Sequence, residues 1–188
     1  GLVNFLNIKL NPHGNGTHTE CVGHIATEKY SIHKCLTNFH KVAKLHSVYP
    51  TMLENGDKVI LKSHFETDFD EIENVDTIVI RTLPNDSGKL TRNYSGTNPT
   101  YVHHEAMDYL VNLGIKHLLI DLPSVDRESD EGLLLAHKAF WRYPTDVRSD
   151  CTITELVYVS DEIRDGLYFL NLQIASFDID VSPSKPVL

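Results

Sequence analysis

Long apolar runs are missing from this sequence. None approaches the ~20 residues that a bilayer-spanning helix requires. Positive charge is also scarce: 17 Lys and Arg stand against 26 Asp and Glu, a formal charge of −9. Nucleic acid and anionic membranes both ask for a basic patch, so neither is expected as a partner. Cysteine occurs three times, at Cys21, Cys35 and Cys151. The number is odd, the spacing wide, and no CxxC pair occurs, which argues against a disulfide framework or a zinc knuckle. A reducing, cytoplasmic setting is expected instead. No charged start followed by an apolar core reads as a signal peptide. Internal repeats and low-complexity tracts are absent.

What is present suits one globular unit. The 188 residues are enough for one sizeable core, and a single domain over 1–188 is expected. Histidine is the unusual feature: eleven occur against those 17 Lys and Arg. It is the commonest metal ligand and the usual proton carrier near neutral pH.

Turn signals and periodicity divide the chain. "VNFLNIKL" (3–10) reads as a strand ended by Asn11-Pro12, whereas 31–48 has only loose helical spacing. "KVILKSHF" (58–65) and "DTIVIRT" (76–82) read as strands, and 83–99 reads as a long surface loop able to lie over a site. A helix follows, with Asn98 as N-cap, Pro99 at its first position and Gly114 closing it. "IKHLLID" (115–121) is a strand apolar on both faces, so a parallel pair with 76–82 is expected. The acidic loop 121–132 leaves its carboxyl end, where α/β folds place function. Ser129 is set to cap a second helix carrying Leu133, Ala136, His137, Phe140 and Trp141 on one side. Strands over 151–159 and 166–177 complete the reading.

Chemistry concentrates in "NPHGNGTHTECVGHI" (11–25). It reads either as a polar surface loop or as bent backbone delivering ligands. His18 and Glu20 are two apart, so on extended chain they face the same way. Imidazole and carboxylate together suit Zn²⁺ or Mn²⁺. Two distant residues bear on the choice. His137 sits on the apolar face of its helix, and Glu155 shares a strand face with Ile153 and Val157. A carboxylate on a buried face is unfavourable unless it meets a cation or a metal. An arginine partner for Glu155 and an ordinary core role for His137 are the plainer alternatives. A redox role for Cys21 is disfavoured, because the adjacent carboxylate raises a thiol pKa.

"NGTHTECVGH" resembles the signature His-x-Gly-Thr-His-x-Asp-x-Pro-x-His of the cyclase family, whose best-known members are metal-dependent kynurenine formamidases (arylformamidases). The resemblance continues through "GIKHLLIDLPSVD", "AHKAF", "TITELVYV" and "LNLQIASFDIDVSPSKPVL", in order over nearly the whole chain. It implies an α/β, swivelling β/β/α fold with a mixed sheet and few helices. It also implies a homodimer or homotetramer, and an N-terminal segment preceding Gly1. By position it makes His18, Glu20, His137 and Glu155 metal ligands and His24 the general acid/base. Three departures stand out. Four residues before His18 lies Gly14, with His13 one further back, so either His13 shifts in or Asn15 or water takes its place. Glu20 replaces an Asp, and Val22 a Pro. The expected activity is hydrolysis of a C–N bond in a small-molecule amide, either an aryl formamide such as N-formylkynurenine or a cyclic amide, by water activated on zinc or manganese. The alternative is a binding protein on the same fold with an eroded centre. Phe65, Tyr94, Tyr101 and Trp141 are candidates to line the hydrolase's substrate pocket.

Overall fold

Every second residue of the inner strands points the same way, and that period of two builds a core on both faces of one sheet. The computed structural model describes residues 3–14, 16–66 and 75–188. Its strands are β1 (His18–Cys21), β2 (His40–Val48), β3 (Thr51–Met52), β4 (Lys58–Ile60), β5 (Thr77–Thr82), β6 (Tyr101–Val102), β7 (His117–Ile120), β8 (Thr152–Glu155), β9 (Gly166–Asn171) and β10 (Val181–Pro183). The helices are α1 (Ile32–Cys35), α2 (His104–Asn112) and α3 (Leu135–Trp141), with short 3-10 turns between elements.

Seven strands form one mixed sheet in the order β10-β1-β8-β7-β5-β2-β9, and β3-β4-β6 form a smaller one. The centre is parallel, β5 pairing with β7 as expected, while β1 lies antiparallel to both β8 and β10. On one face Ile78, Ile80, Leu118, Ile120 and Ile153 pack under α2 and α3. On the other, Val79 and Leu119 meet Ala43, Leu45, Leu170, Ile32 of α1 and Leu36 just after it. The alternation along β5 and β7 thus divides one apolar run between two core layers. Among the described residues, no helix is long and apolar enough to cross a membrane.

Several expectations are corrected. Residues 3–10 are not a strand: Phe5, Leu6 and Ile8 are more than four-fifths exposed, and no strand of either sheet includes them. A β-pattern without a ladder partner leaves its N–H and C=O groups to water. Helix α2 starts at His104, well after Asn98. Asn98 takes a positive φ of 49° and its amide donates to Asp57 (2.8 Å), while Tyr101 and Val102 pair with Val59 and Ile60. Helix α3 begins at Leu135 rather than after Ser129; the Asp126 carboxylate takes up its first N–H groups, and Leu133 stays exposed. The 58–65 run ends as strand at Ile60 and turns into a 3-10 helix over Lys62–His64. Phe65 and Trp141 are fully buried in the core, so neither lines a pocket.

Candidate metal centre

Strand register brings the distant ligand candidates together. In the β1–β8 pair, His18 stands directly opposite Glu155. Both are buried, and His18 Nε2 lies 3.5 Å from Glu155 Oε2. Glu20, two residues along the same face of β1, is fully buried and reaches His137 on α3, with Oε1 3.1 Å from His137 Nε2. His13, on the 3-10 turn Pro12–Gly14, places Nδ1 3.1 Å from Glu20 Oε2. The turn therefore brings His13 in despite its offset from the family spacing; Asn15 lies outside the described residues. His24, on the turn Val22–His24, has Nδ1 3.8 Å from Glu20 Oε2, and its ring lies 4.3 Å from that of His13, tilted by 34°.

The imidazoles are oriented from behind. The Nδ1–H of His18 donates to the Gly16 carbonyl (2.8 Å), leaving Nε2 as the nitrogen that faces the cluster. The Nδ1–H of His137 donates to Asp126 Oδ2 (2.5 Å), which turns its Nε2 toward Glu20 in the same way. Asp126 also accepts from the Ala136 N–H (2.7 Å) at the start of α3, so one carboxylate fixes both the helix end and the imidazole.

Charge is concentrated here. Burial pushes the Glu20 carboxyl up, but hydrogen bonds with His13 and His137 and the positive charge around it hold it well below the usual carboxylate range. Burial and the nearby Glu20 charge push Glu155 up. Burial also opposes charging His137, yet hydrogen bonds with Asp126 and Glu20 raise it to about 10. His24 goes the other way, lowered by burial and by His137 and His13.

The donor set fits a divalent cation. His18 Nε2 and Glu20 Oε2 are buried and make no hydrogen bond of acceptable geometry, although a carboxylate and an imidazole stand nearby. Buried polar atoms left this way are unfavourable unless something else satisfies them. Three overlapping groups hold their ligand atoms within 4.8 Å of one another: His13, His18 and Glu20; Glu20, His24 and His137; and His13, His24 and Asp180. Imidazole nitrogen with carboxylate oxygen is a donor set suited to zinc or manganese. Glu155 stands beside these groups, its Oε1 accepting from the Val125 N–H (3.0 Å).

Two residues of this network escaped the sequence reading. Asp126 closes "DLPSVD", which is similar to an Asp-x-x-Ser-x-Asp loop of the cyclase family, but the sequence reading gave it no role at the site. Asp180, whose Oδ2 lies 2.8 Å from His13 Nε2, precedes β10 and reaches the site only because β10 pairs with β1. Beside the cluster opens a cleft of about 440 Å³, its wall shared by His13, Asp126 and residues of the 83–99 loop, among them Tyr94 and Arg92. That loop does border the site. Tyr101 faces a different hollow, next to His103 and His104.

Comparison with known proteins bears on the fold and the family. Solved structures share the fold across nearly the whole chain. One described as a potential metal-dependent hydrolase with cyclase activity superposes with a TM-score of 0.72 at 19% identity, over 96% of this chain and 80% of that one. Isatin hydrolase A from Labrenzia aggregata, bound to benzyl benzoate, gives 0.69 at 14% identity, over 96% and 74%. Isatin hydrolase A from Ralstonia solanacearum gives 0.69 at 16% identity, over 96% and 73%. At these identities the likeness is one of fold. No curated protein matches the sequence significantly. The model of the Cyclase family matches residues 4–127, about two thirds of the chain, and this protein belongs to that family.

Proposed function

We propose that this protein is a metal-dependent hydrolase that cleaves the C–N bond of a small amide, either an aryl formamide such as N-formylkynurenine or a cyclic amide such as isatin. The observation that carries the reading is the pair of buried, unsatisfied ligand atoms, His18 Nε2 and Glu20 Oε2, set among three further imidazoles. Zinc or manganese would be held by His18, Glu20 and His137, with His13 beside them and Glu155 at the edge. When bound, the cation supplies Lewis acidity for the carbonyl and lowers the pKa of water toward neutrality.

The chain's own residues have the remaining tasks. Glu20, kept ionised, balances the cation's charge, and Asp126 holds the His137 imidazole in register. His24 is about one third exposed and turns Nδ1 toward Glu20 and Asp180. His24 takes a proton from the attacking water and returns it to the leaving nitrogen. Tyr94 and Leu134 give the cleft apolar surface for a planar substrate. A cytoplasmic location and a homodimer or homotetramer belong to the same reading.

The test is elemental analysis of untagged protein purified without chelator, followed by a screen of formamides and lactams. One or two equivalents of zinc or manganese, with turnover of at least one amide, are expected. No metal after incubation with excess Zn²⁺ or Mn²⁺ overturns the hydrolytic reading in favour of a cyclase-fold binding protein.

A further inference from the structure

Residues 3–10 form an arm with no place in their own fold. Val3, Phe5, Leu6 and Ile8 stand exposed, although the segment has the apolar character of a strand. The arm leaves the molecule at one margin of the seven-stranded sheet. Pro12 opens the turn that carries His13, and His13 is held by Asp180, the residue before β10, at 2.8 Å. Just past β10, Ser184 bridges to Ile174, so the chain itself already lines that margin.

The opposite margin is open. Asn171, at the end of β9, exchanges two backbone hydrogen bonds with Val187 (2.8 and 3.0 Å). By the alternation of a ladder, Phe169 and Leu167 present their N–H and C=O groups to the same side, and among the described residues the pairing does not continue to them. Their side chains are 66% and 60% exposed. Val42 of β2 stands opposite Phe169 and is exposed too, and the His40 ring stacks on Phe169 (5.6 Å). An apolar patch thus runs up to a free strand edge, which is a template for one more strand.

We propose that the 3–10 arm of one copy of this chain adds as a strand to the β9 edge of a second copy, and that the exchange is mutual. Reach decides between the chain's own edge and a partner's. From β1 through β8, β7, β5 and β2 to β9 there are five strand spacings of about 4.8 Å, roughly 24 Å. Leu10 is two residues from Pro12, hence within about 7 Å of it. The arm therefore cannot lie along the β9 of its own chain, whereas a second copy has no such tether. A period of two puts Leu6, Ile8 and Leu10 on one side of the arm, and that side meets Leu167 and Phe169. The added ladder also satisfies backbone groups that the arm otherwise leaves to water. Each copy offers one arm and one edge, so two identical contacts close a two-fold dimer. The proposal rests on the oligomer of the functional reading and names its surfaces, but uses neither metal nor turnover.

The experiment follows the full chain and its variants by sedimentation velocity. The native chain is expected as a dimer. Ile8→Asp and Phe169→Asp each weaken it at least about tenfold, since one apolar side chain lost from a buried contact is worth about a decade of affinity or more. Met52→Asp, at an exposed apolar residue of the small sheet, leaves the dimer intact. Mixing the Ile8→Asp and Phe169→Asp chains restores a heterodimer, because the intact arm of one meets the intact edge of the other. With p-benzoylphenylalanine in place of Phe5 and a mixture of ¹⁵N-labelled and unlabelled chains, light joins the arm of one isotope to the 166–171 peptide of the other. A monomeric native chain overturns the proposal and the oligomer with it. A dimer that survives both substitutions, that mixing does not restore, or whose arm links elsewhere or only within one chain overturns the proposal alone. Elemental analysis decides the hydrolase separately.

Discussion

Replacing Asp126 by Asn isolates the orienting role of one carboxylate. The substitution keeps shape and volume but removes the charge and turns one of two acceptor atoms into a donor. In the native protein those atoms receive the Ala136 N–H at 2.7 Å and the His137 Nδ1–H at 2.5 Å. An amide oxygen can serve one of the two, and its NH₂ group must face the other donor. Removal of a carboxylate behind a ligating histidine lowers metal affinity about 10–100-fold. On the logarithmic scale of binding energies that is about 1.4–2.7 kcal/mol. The metal-free protein loses a charged hydrogen bond as well, worth about 1.5–3 kcal/mol. For a chain of this size that lowers the melting temperature by roughly 3–12 °C. The assay is competition for zinc against a chromogenic chelator, with melting curves recorded with and without metal. A variant that binds zinc within twofold of the native protein, while showing the expected melting shift, would refute the claim that Asp126 orients a ligand. His137 would then be an ordinary buried histidine.

Other perturbations have outcomes just as definite. His24→Ala should abolish amide turnover and leave metal content nearly unchanged; loss of metal would make His24 a ligand rather than the proton carrier. Lys89→Met strips the partner from buried Asp121, whose carboxylate stands 2.7 Å from the Lys89 ammonium; breaking such a pair costs about 3–5 kcal/mol, read from denaturant melts. Leu118→Ala opens a cavity in the layer beneath α2 and α3 and should cost about 2–5 kcal/mol by the same measurement. His117 gives a pH test remote from the metal cluster: burial, followed by the Lys41 charge, lowers it to about 4 from an ordinary 6.5. Because the unfolded chain binds the proton first, stability is complete above pH 6.5 and is lost as the pH falls through about 4, by up to about 3 kcal/mol. His117→Gln should flatten the stability curve over that interval, and an unchanged slope would refute the assignment.

The sequence by itself determined whatever depends on short-range pattern. The β-branched run at 76–82 and the doubly apolar 115–121 became β5 and β7, parallel as the intervening helix required. His18 and Glu20 share a face of β1 because strand geometry has a period of two, and the same arithmetic sends Cys21 to the other core. His137 and Glu155 stood out because ionisable groups on apolar faces need a reason.

Tertiary structure decided what lies across strands and loops. Asp180 reaches His13 only through the β10–β1 pairing, and Asp126, though part of a recognisable loop motif, had no role until α3 began beside it. Residues 3–10 carry a strand pattern with no ladder to join, and Asn98 has a capping side chain that binds Asp57 instead. Local preferences amount to a few tenths of a kcal/mol up to about 1 kcal/mol per residue, and long-range pairing and burial outweigh them. A ligand can therefore be suspected from its residue type and spacing, but the groups that aim it are set by contacts between segments far apart in the chain.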